Sequence, residues 1–261
     1  MHFSTHNTKL RKTIKLIKED PALKKILPHK YLVWGIPAFK DHVENFVTCP
    51  GAGSCSGPCF ARSGHYTFPR RKQIERDNLL SARRPMFKYD MNNRLQSLSQ
   101  PHLIRIHDSG DFFNRDYFLD WLWVAKNNKR HKFYAYTKSW IETHLWRQHG
   151  TRGMMANLSL VYSLGGLYDQ ELLDWNENAK HTGIKTLPVS EIFLNKETAN
   201  LSGYPACDTD IEAILEEPRI GLIYHNNKHP RRFKWNKAGS LFNAAVFTHK
   251  RHNHFKETNV Q

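Results

Sequence analysis

The stretch LIRIHDSGDFFNRDYFLDWLWVAKNNKRHKFYAYTKS, residues 103–139, decides the fold. Its first residues, Leu103–His107, are β-branched and alternating, the signature of a strand. Tyr117–Asn127 follows with Tyr117, Leu119, Trp121, Leu122 and Val124 at helical intervals, and Lys132–Tyr136 returns to strand chemistry. Strand, helix and strand in that order make a βαβ unit, which winds right-handed into a parallel sheet. Downstream the alternation continues. A helix is expected across Ile141–Gln148, a strand over Leu158–Ser163 ended by the Gly165–Gly166 turn, and further strands near Thr186–Val189 and at Ile220–His225. Upstream, Tyr31–Gly35 is a short β-type run, and Arg70–Ala82 reads as a helix with Pro85 close behind it. The expected fold class is α/β, a partial (β/α) barrel with a cysteine loop after its first strand. Ligands in such folds sit beyond the carboxyl ends of the strands.

The chain as a whole divides into three stretches. Residues 1–28 hold a basic amphipathic helix over Thr8–Ile26, with Leu10, Ile14, Leu16, Ile17, Leu23 and Ile26 set among Lys, Arg and Glu and a break expected at Pro21. Residues 29–247 form the α/β domain. Residues 248–261, with His249, Lys250, Arg251, His252 and His254, read as a basic flexible tail. With 7 Trp, 10 Tyr and 15 Phe among 261 residues, the chain has bulky material for a full core without disulfides. No apolar run approaches the ~20 residues of a membrane span, and Met1–Asp20 lacks the hydrophobic segment of a secretory signal. A soluble cytoplasmic protein with no membrane partner is expected. The net charge of +15 favours polyanionic partners, a nucleotide or a nucleic acid.

Three of the four cysteines fall within one loop, Thr48–Ala61, as Cys49, Cys55 and Cys59 in C-x5-C-x3-C spacing. Gly51, Gly53 and Gly57 allow the backbone to fold tightly around a central object, and Pro50 and Pro58 pre-set turns. Soft thiolates suit an iron–sulfur cluster or zinc, and three ligands leave one coordination position open for chemistry. The competing reading is a structural zinc site completed by His65 or Cys207.

The strand ends carry the remaining chemistry. Asp108-Ser109-Gly110-Asp111-Phe112 follows the strand at Leu103, with small residues that admit a ligand close to the backbone and a carboxylate for an ammonium or hydroxyl group. Thr137, Lys138 and Ser139 follow the next strand, and Lys138 offers charge to a carboxylate or phosphate. Ser163 closes the strand after that. Arg62, Arg70, Arg71 and Lys72, just beyond the cysteine loop, are candidates for phosphate contact.

At Thr48–Ala61, at Ile104–Phe112 with Tyr117 and Trp121, and at Phe133–Ser139, the sequence resembles the phage "gene product 88" family. These motifs are also similar, more distantly, to the radical S-adenosylmethionine (SAM) enzymes. That superfamily uses a partial (β/α) barrel with a cysteine loop after the first strand and a glycine-and-acid motif after the second. The gaps between the cysteines are longer here than the superfamily's C-x3-C-x2-C, and Ser-Gly-Asp stands in place of Gly-Gly-Glu. The resemblance implies that Cys49, Cys55 and Cys59 hold a [4Fe–4S] cluster. It also implies that Ser109, Gly110 and Asp111 meet the ammonium group of SAM, and that Lys138 and Ser163 line its carboxylate or ribose. The function it implies is a phage-encoded radical-SAM-like enzyme in the cytoplasm of an infected cell, served by an electron donor. A nucleotide or nucleic-acid-related substrate is expected. The alternative is a non-enzymatic nucleic-acid-binding protein with structural zinc.

Overall fold

The computed structural model describes residues 1–57, 59–139, 156–182, 186–193 and 195–223. Six strands form one sheet: β1 (Tyr31–Val33), β4 (Leu103–Ile106), β5 (Lys132–Thr137), β6 (Leu158–Ser163), β7 (Val189–Phe193) and β8 (Arg219–Ile223), in that spatial order. Every pairing in it is parallel, with Tyr31 opposite Leu103, Leu103 opposite Lys132, and Phe133 opposite Leu158. A separate antiparallel pair, β2 (Lys40–Asp41) and β3 (Phe46–Val47), lies between β1 and the cysteine loop. The outer strands β1 and β8 are not hydrogen-bonded to each other among the described residues.

Strand order that never reverses sends crossovers of one hand to one face of the sheet. The other face must be covered by something else, or it would be left in water. The packing shows both coverings. On the crossover face, Ile104, Ile106, Phe133, Ala135, Leu158 and Leu160 meet side chains of three helices, α3 (Pro69–Ala82), α4 (Phe87–Gln96) and α5 (Arg115–Asn127). Leu79, Phe87, Met91, Trp121 and Phe118 fill that layer and are fully buried. On the opposite face, Leu103, Tyr134, Val161 and Ile220 pack against the N-terminal helix α1 (Thr8–Glu19) through Leu10, Ile14 and Ile17. That spacing of i, i+4 and i+7 is one helical stripe.

Local chemistry sets the ends of these helices. The Asn7 side chain accepts from the Leu10 N–H at 2.9 Å and caps α1. Asp20 is extended because Pro21 follows it, so α1 stops and α2 (Pro21–Ile26) starts afresh with Asp20 as its cap. The break expected at Pro21 is therefore present. Three further α-helices follow among the described residues: α6 (Asp169–His181), α7 (Lys196–Leu201) and α8 (Ile211–Ile214).

One strand differs from expectation. The run near Thr186–Val189 enters the sheet only at Val189, because Pro188 has no N–H for the ladder and contributes its carbonyl alone, to Tyr162 N at 2.9 Å. The Tyr31–Gly35 run shortens to Val33, and the Ile220–His225 strand is seen as Arg219–Ile223. The Ile141–Gln148 helix, His225 and the tail from Thr248 lie outside the described residues. No described helix is long and apolar enough to cross a membrane.

Candidate metal and cofactor site

The cysteine loop is clamped onto the carboxyl ends of β5 and β6. Ala52 forms an antiparallel bridge with Gly166, the N–H groups of Gly53 and Cys55 donate to Gly165 O at 3.2 and 3.1 Å, and Leu167 N donates to Gly51 O at 2.9 Å. The receiving turn is itself fixed, because the Asp169 carboxylate accepts from Gly165 N at 2.7 Å and Gly166 N at 2.9 Å. Burial nonetheless pushes the Asp169 carboxyl up to about 6. At Gly51 the close approach is obligatory, since a Cβ there would stand 2.2 Å from the Lys138 carbonyl oxygen. Gly51→Ala is expected to destabilise the chain by about 1–3 kcal/mol through this overlap. Lifting the loop should also speed labelling of the metal-free thiols by a disulfide reagent. Unchanged melting and unchanged labelling would remove the clamp from the account.

Cys49, Cys55 and Cys59 line one cavity of about 850 Å³. Burial raises the pKa of all three. For Cys49 the Asp111 carboxylate adds to that rise, the Phe39 N–H donating to Sγ at 3.3 Å opposes it, and the other two sulfurs add again. Burial also leads at Cys55 and Cys59, where the Lys138 ammonium pulls the other way. Three mutually interacting sulfurs in a desolvated pocket are therefore neutral thiols unless a cationic centre joins them.

The five strand-end residues that the resemblance assigns to a cofactor, Ser109, Gly110, Asp111, Lys138 and Ser163, line the same cavity, as do Asp108 and Thr137, whereas Phe112 and Ser139 do not. Gly110 has φ +80, and a Cβ on it would sit 2.2 Å from Ile36 Cγ1, so only glycine fits. Ser109 Oγ lies 2.8 Å from Ile36 O and 2.6 Å from Glu75 Oε1. Asp111 accepts from Thr137 Oγ1 at 2.7 Å, Lys138 N at 2.8 Å and Phe112 N at 2.8 Å. Burial outweighs these donors and holds its carboxyl up at about 6. Asp111 thus ties the end of β4 to the end of β5 and keeps one acceptor direction for a ligand. Ser163 Oγ shares a 2.8 Å hydrogen bond with Ser190 Oγ.

The basic candidates after the loop take other places. Arg62 donates to Ser56 O at 2.8 Å and lies over the Phe39 ring, bracing the cysteine loop. Arg71 pairs with Glu75 at 2.7 Å and Asp108 at 3.5 Å, while Arg70 and Lys72 are exposed. None of the four lines the cavity. His65 and Cys207 do line it, with the His65 ring tilted against Tyr66 at 4.0 Å between centroids and Cys207 Sγ donating to Pro205 O at 3.1 Å.

Asp108 and His107 do more than their place at the end of a strand announces. Asp108 accepts from Tyr66 Oη at 2.6 Å and Asn7 Nδ2 at 2.8 Å, joining β4 to the cysteine-loop exit and to the cap of α1. His107 has φ +63, which is left-handed and strained for a non-glycine residue. Its Nε2 is 3.0 Å from Tyr117 Oη, which accepts from Trp34 Nε1 at 2.9 Å, and either tautomer of the imidazole satisfies that contact. The buried Nδ1 beside the cavity has no partner among the described residues, and burial pulls the imidazole down to about 3. A strand-end histidine before a Ser-Gly pair was the available signal.

The donor set can be tested against a bound centre. Among the described residues no three His, Cys, Asp or Glu side chains gather closely enough to hold one metal ion. A cubane cluster makes a different demand, because each thiolate binds its own iron and the sulfurs ring an object larger than an ion. Three partly buried thiols lining one cavity, one receiving a backbone N–H, fit that demand in kind.

No curated protein and no solved structure matches the chain. A family model does, across residues 1–237, and that span takes in the cysteine loop, all six sheet strands and the cavity between them. The chain therefore belongs to the gene product 88 family.

Proposed function

We propose that this protein is a phage-encoded iron–sulfur enzyme of radical-SAM-like chemistry acting on a nucleotide or nucleic-acid-related substrate. The observation that carries the reading is the shared cavity. Three cysteines and five strand-end residues, far apart in the chain, line one space of about 850 Å³ at the carboxyl ends of parallel strands. Such a volume accommodates a ligand of cofactor size. Cys49, Cys55 and Cys59 would hold a [4Fe–4S] cluster, which supplies a single electron when bound. The residues around it have defined tasks. Lys138 offsets thiolate charge, Phe39 N–H stabilises the Cys49 sulfur, and Asp111 presents a carboxylate to an ammonium group. Ser109 and Gly110 line the same space beside it. Arg105 of β4 and Tyr136 and Thr137 of β5 line the same space.

SAM added to anaerobically purified, reduced protein should change the electron paramagnetic resonance signal of the cluster. Asp111→Asn should weaken SAM binding by about tenfold, the size expected for loss of one charge-assisted hydrogen bond. A signal indifferent to SAM would remove the cofactor assignment. A colourless zinc protein without sulfide would replace the enzyme with a zinc-stabilised binding protein.

A further inference from the structure

We propose that the first turns of α1 are the phosphate-binding wall of this cavity, with Arg11 and Lys12 as its contacts. The inference rests on the nucleotide-related substrate proposed above and says which residues hold it. His6, Asn7, Thr8, Lys9, Arg11 and Lys12 line the same cavity as the cysteines.

The helix is held there by buried partners. Asn7 Nδ2 donates to Asp108 at 2.8 Å, Lys9 Nζ is 3.0 Å from the fully buried Asp210, and Asp210 N donates to Thr13 Oγ1 at 2.9 Å. Leu10, Ile14 and Ile17 sit in the core, whereas Arg11 and Lys12 are exposed at the cavity. Their backbone is fixed while their charged ends remain able to meet a ligand.

Charge decides what that ligand is. The carboxylates lining the cavity are engaged: Asp108 by Tyr66, Asn7 and Arg71, Asp111 by three donors, and Asp208 by Lys196 at 2.6 Å. Lys9 is matched by Asp210. Among the described residues Arg11, Lys12 and Lys138 have no carboxylate at ion-pair distance, and Arg11 donates to Thr8 Oγ1 at 3.3 Å. A cavity whose acids are engaged while three of its cations lack a carboxylate selects an anion. The fork of an arginine beside a lysine suits the oxygens of a phosphate. The N-terminal end of the 12-residue α1 adds partial positive charge.

The test uses the full chain and isothermal titration with inorganic pyrophosphate, a deoxynucleoside 5′-monophosphate, the unphosphorylated deoxynucleoside and a short single-stranded oligonucleotide. Arg11→Gln with Lys12→Gln should weaken the phosphorylated probes by about tenfold or more while melting and iron content stay unchanged. Arg70→Gln with Lys72→Gln, the rival pair suggested by sequence, should change little. Tight binding of the monophosphate names a small substrate, and binding of the strand alone names a nucleic acid; either supports the wall. Equal weakening in both double variants, no weakening in the first, or no binding of any phosphorylated probe would overturn it. If the protein holds no iron or sulfide and Arg11→Gln/Lys12→Gln still weakens pyrophosphate, the cluster reading fails and the phosphate wall stands.

Discussion

Replacing any one of Cys49, Cys55 and Cys59 with alanine is expected to strip the protein of the proposed cluster. Iron and acid-labile sulfide should fall to background, the broad visible absorption should vanish, and SAM cleavage should stop. On the proposed cluster the effect would be all-or-none, because three thiolates would share one centre and the remaining pair would leave its iron open to solvent exchange. The polypeptide itself should persist. Each cysteine is only partly buried by its surroundings, and the loop is clamped through Gly51, Gly53 and Gly165 backbone groups that the substitution does not touch. Cys207→Ala serves as the contrast, because its sulfur donates to Pro205 O and the account gives it no place in the cluster. Retained iron in the loop variants, or lost iron in the Cys207 variant alone, would break the assignment.

Asp210→Ala is expected to cost about 3–5 kcal/mol of folding stability, read as a lower urea midpoint. Asp210 is the anionic centre of a buried network on the α1 side of the sheet. It lies 3.0 Å from Lys9 Nζ and 3.3 Å from Arg105 Nη1, and accepts from Tyr134 Oη at 2.7 Å and Tyr136 Oη at 3.0 Å. Among the described residues, removing it leaves Arg105 with Asp108 at 3.8 Å as its one carboxylate, and it releases α1 from the Lys9 ion pair. Burial alone would raise the Asp210 carboxyl, but Lys9 and Arg105 together outweigh it and hold the group at about 2. A carboxyl depressed on folding stabilises above its unfolded value and loses that contribution as pH falls. Stability of the unaltered chain should therefore decline between about pH 4 and pH 2, and the Asp210→Asn chain should lack that part of the decline. Acid melts that coincide for the two proteins would show that the network carries no net charge effect.

How far the sequence led can be traced residue by residue. The strands at Leu103, Lys132 and Leu158 were legible because both faces of the sheet are covered, which demands apolar residues at nearly every position. The cysteine loop and the three strand-end motifs were legible as separate pieces. Their convergence was not, since the clamp of Gly53 on Gly165 joins residues more than a hundred positions apart through backbone groups that carry no sequence mark. Helix α4 escaped notice because only Phe87, Met91 and Leu95 of its residues are buried, one per turn. The role of α1 escaped for a different reason. Its amphipathic stripe announced packing, but the lysine that pairs with Asp210 looks like any other in a basic helix until the partner, about two hundred residues on, is brought beside it. An arginine in the middle of a buried strand, Arg105, was the visible clue that an acid had to meet it.

Metal and sulfide analysis of protein purified without oxygen bears most directly on the three gathered thiols. About four irons and four acid-labile sulfides per chain, with zinc at trace level, is the expected result. Stoichiometric zinc with no sulfide, or a chain that takes up neither metal when iron and sulfide are supplied, would contradict it.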